Sequence, residues 1–149
     1  HHKHGAYIIR NAHLPAFAAD EIELIATLVR YHRKSLPKPA HPEWAQADAV
    51  TRAKIEGLGA MLRIADGLDA RHLAVVESVE IVRSAVAVEL VVAAQQDIGS
   101  EVAAASGKSD LFTRAFGLPL IVRAAPQERY AEIDTDARAE EMSPASRTG

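Results

Sequence analysis

The densest group of chemically capable side chains in this sequence is the run Arg30-Tyr31-His32-Arg33-Lys34. A guanidinium presents a planar fork of donors that matches phosphate oxygens, and an ammonium adds a mobile point charge. With Lys3 and His4 near the start of the chain, these residues have the composition of a polyanion cradle. Cations also suit the negative end of a helix, so the same run reads equally well as a solvated helix end.

Metal chemistry is the second reading of these residues. His1 and His4 stand at i and i+3, as do Asp66 and Asp69, and such pairs share a helix face. A set built from His4, His32 and Asp66 would offer imidazole and carboxylate ligands. The competing view pairs a buried Asp66 with an arginine such as Arg63. The sequence holds no His-Asp dipeptide, no cysteine, no Gly-x-Ser-x-Gly and no glycine-rich phosphate loop after a strand, so no catalytic residue is assigned. Gly57-Leu58-Gly59 falls inside a helical pattern, where small residues permit close packing.

The elements that must carry these groups follow from periodicity. Residues 1–37 read as two helices broken at Leu14-Pro15. In the second, Asp20 is the expected N-cap, and Ile22, Ile25, Leu28, Val29 and His32 lie at helical spacing. Arg30, Arg33 and Lys34 then fall in its last turn, and Pro37 and Pro39 stop it. Residues 37–46 read as a proline-rich loop. A strong helix over 47–72 shows Ile55, Leu58, Leu62, Ala65 and Leu68 as its apolar stripe.

Beyond His72 the period changes from 3.6 to 2. Val79 and Ile81, then Val86, Val88, Leu90 and Val92, mark two strands with a turn near 83–85. A helical period returns over 98–116, interrupted at Gly107, with Gly117 as its C-cap and a short strand over 118–122. The expected class is α+β, divided into a helical region 1–72, a β-β-α-β unit 73–124 and an acidic, disordered tail 125–149.

Composition narrows the function classes. The 149 residues carry a net charge of −3, distributed unevenly. Residues 1–40 hold six basic residues against three acids and five of the seven histidines, whereas 125–149 holds six acids against three bases. No apolar run is long enough for a membrane span, and no secretory leader is visible, so the expected location is the cytoplasm. A nucleic-acid partner is not expected, because aromatic residues are not interleaved with the basic run. The first residue is His1 rather than Met, which points to a start inside a longer protein more than to a tag remnant.

Three segments resemble the C-terminal region of the exopolyphosphatase and guanosine-pentaphosphate phosphatase (Ppx/GppA) family. They are His1 to Ile9 with Asn11 and Leu14-Pro15, then Leu28 to Lys34, then Leu62 to Asp69. The segments Lys108 to Phe112 and Ala115 to Gly117 are similar to that family's closing β-α-β portion. The resemblance covers roughly residues 1–123. It implies an HD-type helical bundle, truncated at its N-terminus, followed by a small α/β unit. It further implies a parent enzyme that removes terminal phosphate from inorganic polyphosphate or guanosine pentaphosphate with Mg²⁺, its catalytic groups lying in N-terminal actin-like domains. For this chain it implies an accessory role, with polyphosphate contacts from Arg30, His32, Arg33 and Lys34, then Lys3 and His4, and a homodimer. The alternatives are a metal-dependent nucleotide phosphohydrolase of the HD superfamily and a purely structural dimerisation module.

Overall fold

A computed structural model describes residues 2–33 and 35–126 of the chain. The architecture is α+β, with six helices and three strands among the described residues. The acidic tail expected over 125–149 lies, from residue 127 onward, outside the described residues.

The first helices are short and amphipathic. Helix α1 (His2–Asn11) packs along α2 (Ala19–Tyr31) and closes with Asn11 Nδ2 donating to Tyr7 O at 2.8 Å. The start of α2 differs from expectation. Asp20 lies within the first turn, and the entry is fastened by Glu21, whose Oε2 accepts from Ala18 N at 2.8 Å. The helix also ends earlier than its cations suggest: Arg30 is in the last turn, but Arg33 lies beyond Tyr31. Within 37–46, read as loop, residues Pro42–Ala45 form a single helical turn, α3, with proline at the first position, where its missing N–H costs nothing. Arg52 Nε and Nη2 donate to Trp44 O and Ala45 O, each at 3.0 Å, and so tie α3 to the next helix.

Helix α4 (Ala49–Leu68) starts at Asp48, whose Oδ1 accepts from Thr51 N at 2.7 Å. Its inward face corrects the expected stripe. The buried residues are Ile55, Gly59, Ala60, Arg63, Ile64 and Gly67. Leu58 and Leu62 of the predicted stripe, with Met61 beside them, are exposed. The reason is steric. The helices packed on α4 come close to its backbone at the small residues, so the bulky side chains are left on the far side.

Strands β1 (Ser78–Arg83), β2 (Val88–Ala93) and β3 (Leu120–Ala124) form one sheet in the order β1-β2-β3. β1 and β2 are an antiparallel hairpin, and β2 and β3 are parallel. The helical pattern over 98–116 divides near Gly107 into α5 (Gly99–Ser106) and α6 (Asp110–Phe116). These supply the crossover that a parallel pair requires. Gly117 ends α6 at φ 71°, the left-handed cap expected of glycine.

Ile64 of α4 joins Leu90, Val92, Ile98, Ala105 and Val122 in one apolar core. Helix α4 thus links the N-terminal helices to the sheet. The alternation read in β1 does not lead to burial, because this edge strand extends past the helices that cover β2, and all six of its residues are exposed.

Candidate functional site

The basic run divides into two surfaces when α2 ends. Arg30 faces α3 and pairs closely with Glu43, while its guanidinium lies 5.8 Å from the Tyr31 ring centroid. Arg10 completes this patch through a bidentate pair with Glu23, at 2.7 and 2.5 Å. Burial works against the Arg10–Glu23 pair, but the hydrogen bond between them is the larger effect. It raises the Arg10 pKa and lowers that of Glu23. Both guanidiniums on this side therefore already have carboxylate partners.

His32 and Arg33 belong to the other surface. His32 Nδ1–H donates to Val29 O at 2.6 Å, which fixes the ring and leaves Nε2 for an external partner. His32 lines a groove of about 360 Å³ with Val29, Leu62, Asp66, Asp69 and His72. Asp66 is paired there with Lys108, from the turn between α5 and α6. Burial pushes the Asp66 carboxyl up. The Lys108 hydrogen bond and the charges of Lys108, His32 and Arg33 together outweigh it, so its pKa lies below the ordinary value.

What positions this second surface is Arg63. Its Nη1 donates to Arg33 O at 2.8 Å and to Tyr31 O at 3.3 Å, and its Nη2 to Asp110 Oδ1 at 3.0 Å. Carbonyls at a helix C-terminus have no partner within the helix. Here the guanidinium of Arg63, a residue only 3% exposed, satisfies them and holds the chain just past α2 against α4 and α6. Tyr31 adds a second anchor through its hydroxyl, 2.8 Å from His41 Nδ1. Burial raises the Tyr31 pKa, aided by the nearby charge of Glu43, so the phenol stays protonated.

The expected site residues are thus only partly gathered. His32 and Arg33 lie on the side of Asp66, and Arg30 does not. His4 is exposed beside Tyr7, with ring centroids 6.5 Å apart. Lys34 and the Lys3 side chain lie outside what is described. Asp66 takes Lys108 as its partner instead of the expected Arg63. Among the described residues, no three His, Asp or Glu side chains come together as a metal-ligand set. The His4, His32 and Asp66 combination therefore lacks an observed geometry, and Lys108 already occupies the Asp66 carboxylate. Lys108 escaped the sequence reading because it is 42 positions from Asp66, with no local spacing to mark the pair.

The carboxylates make a testable pH prediction. Asp66, Glu23 and Glu101 all have lowered pKa values, the last through its hydrogen bonds from Arg71. Their stabilisation is complete above the ordinary carboxylate range, near pH 4, and is lost as pH falls through the lower folded-state values. The urea midpoint is expected to be level from pH 7 to about 5 and to drop below about 4. Asp66→Asn should shallow that acid slope by at most about 1.4 kcal/mol per pH unit. An unchanged slope would show that the Lys108 pair does not persist in solution.

Helix α4 is too polar to cross a membrane, and no other described helix is long and apolar enough. Residues 1–101 match the family described as Ppx/GppA phosphatase, domain III.

Proposed function

The chain belongs to the Ppx/GppA phosphatase family, and from that premise we propose that it is an accessory C-terminal region of an exopolyphosphatase-like protein. In this reading the region contacts a phosphate polyanion, inorganic polyphosphate or guanosine pentaphosphate, and leaves phosphate release to N-terminal actin-like domains of the same parent. Its helices correspond to an HD-type bundle. It works in the cytoplasm as a homodimer.

The observation that carries the proposal is the Arg63 clamp on the end of α2. It brings His32, with Nε2 uncommitted, and exposed Arg33 onto the surface where Lys108 meets Asp66. A phosphate oxygen approaching His32 would meet the exposed Arg33 beside it, whereas Lys108 is already paired with Asp66. Arg30 contributes less, because Glu43 neutralises it. Lys34, Lys3 and His4 remain part of the proposed contact surface.

The exposed apolar face of α4, with Leu58, Met61 and Leu62 and with Phe116 nearby on α6, is where other parts of the parent would pack. An apolar patch of this kind marks an interaction surface more often than a free one. Mg²⁺ would act in the parent's catalytic domains. The described donors of this chain do not fit a metal set, since Asp66 is held by an ammonium. The same pair weighs against the alternative of an HD-type metal phosphohydrolase.

Polyphosphate titration of the 149-residue chain tests the proposal. Binding is expected to weaken steeply with salt, because exposed charges are screened within about 8 Å at physiological ionic strength. The double variant His32→Ala/Arg33→Ala should bind about tenfold more weakly, about 1.4 kcal/mol. Arg30→Ala should have a smaller effect. Phosphate release by the purified chain with Mg²⁺ or Mn²⁺ would overturn the accessory role, and undiminished binding by the double variant would overturn the site.

A further inference from the structure

His32 differs in kind from the cations around it, because its charge is conditional. Guanidinium and ammonium groups are charged throughout the neutral range, whereas imidazole exchanges a proton between about pH 5 and 8. Which nitrogen carries hydrogen in the neutral ring follows from its hydrogen bond. Nδ1 lies 2.6 Å from Val29 O. A carbonyl oxygen only accepts, so Nδ1 must be the donor. A neutral imidazole has a single N–H, and Nε2 is then a bare lone pair.

That lone pair decides what the ring can do for an anion. Toward an ionised phosphate oxygen it sets acceptor against acceptor, and no bond forms. Moving the hydrogen to Nε2 would set Nδ1 against Val29 O in the same way. It would also cost a carbonyl in the last turn of α2 this donor. Only the imidazolium serves both partners, with Nδ1–H given to Val29 O and Nε2–H to the phosphate.

We propose that His32 takes up a proton as a phosphate polyanion binds, so that this contact strengthens as pH falls while those of its neighbours stay constant. The inference rests on the polyanion reading of this surface and adds the protonation state in which it works. Helix α4 brings Asp66 and Asp69 along the groove, and the turn after it brings His72, 3.6 Å from Asp69. Arg33 follows in the chain, and Lys108 comes from the α5–α6 turn, paired with Asp66. The Arg63 guanidinium, shared with Asp110 of α6, bonds the Arg33 carbonyl. Helix α1 backs onto Val29 at Gly5, beside the exposed His4. Carboxylates and fixed cations are thus mixed around the ring, and an added anion favours its charged form.

The neutral ring can be tested without ligand. Long-range ¹H–¹⁵N spectra of the chain at pH 8 should show His32 protonated at Nδ1, the opposite of the form that histidine prefers in water. Inorganic polyphosphate, titrated at fixed ionic strength, should then bind about tenfold more weakly at pH 8 than at pH 6. The heat should vary with the buffer's ionisation enthalpy in the direction of proton uptake. Terminal phosphates of the ligand also titrate, but they gain charge as pH rises and so act in the opposite direction. His32→Gln keeps an N–H donor without a titrating charge, and its affinity should change by less than about threefold over that range. An equal pH dependence in His32→Gln would assign the proton to another group and overturn the proposal. Wild-type binding that ignores pH, or a neutral ring protonated at Nε2, overturns it too and leaves the polyanion contact standing. Absence of binding at every pH overturns the polyanion reading, and the proposal with it.

Discussion

Arg63→Ala is expected to lower the unfolding free energy by about 4 kcal/mol, moving the urea midpoint down by roughly 2 M for a domain of this size. The side chain is buried and bonds two backbone carbonyls and one carboxylate. Its removal leaves Tyr31 O and Arg33 O without a donor, at about 1–3 kcal/mol for each group kept from water. Asp110 contributes little to the loss, because its side chain is half exposed and water can replace the guanidinium. The vacated aliphatic stem adds a packing loss. One effect acts in the opposite direction. Arg63 Nε is buried without a partner, and confining a charge in this interior has its own desolvation cost. Arg63→Met fills the space and removes that charge, so its loss should be about half that of alanine. If methionine matched the wild-type midpoint, Arg63 would be a tolerated burden and not the clamp on α2. Because Arg33 O is one of the bonded carbonyls, either variant should also weaken polyphosphate binding at urea concentrations where the chain is still folded.

How much of this arrangement the sequence disclosed depends on how local the cause was. The hairpin, the crossover helices, the third strand and the Gly117 cap follow from short-range periodicity and from glycine's access to positive φ, and they occur where expected. The packing face of α4 was not legible. Hydrophobic periodicity weights a helix by its large apolar residues, while this helix turns Gly59, Ala60 and Gly67 inward. That choice is made by the close approach of α5 and α6, whose residues are some forty positions away. The site has the same division. The basic run was visible as composition, but its separation into an Arg30 side and a His32–Arg33 side depends on Glu43, Arg63 and Lys108. Each of these comes from another element, and none marks its role by spacing.

The close approach of α5 to α4 supplies the second large prediction. A Cβ added at Gly67 would lie 2.6 Å from Ala105 Cα, 2.7 Å from Ala105 N and 3.0 Å from Ala104 C. All three atoms are backbone, so no rotamer change relieves the contact, and the helices must separate. Ala105 is fully buried in the same apolar core as Ile64, Val92 and Val122, so separation loosens contacts on both sides of the sheet's covering layer. Overpacking of this kind costs about 1–3 kcal/mol and sometimes more. Alanine offsets part of that, since it is favoured over glycine inside a helix by about 1 kcal/mol. Gly67→Ala is still expected to lose about 2 kcal/mol net, and Gly67→Val about 4, because valine adds two methyls and gains less from helix propensity. Gly57 provides the internal comparison on the same helix. A Cβ there meets only Phe116 Cζ at 3.7 Å, an ordinary contact with the tip of a side chain. Gly57→Ala should therefore stabilise the chain by about 0.5–1 kcal/mol. Thermal or urea unfolding of the three variants gives opposite signs at the two glycines if backbone proximity to α5 governs Gly67. Stabilisation by Gly67→Ala as well would mean that α4 and α5 are farther apart in solution than the structure shows.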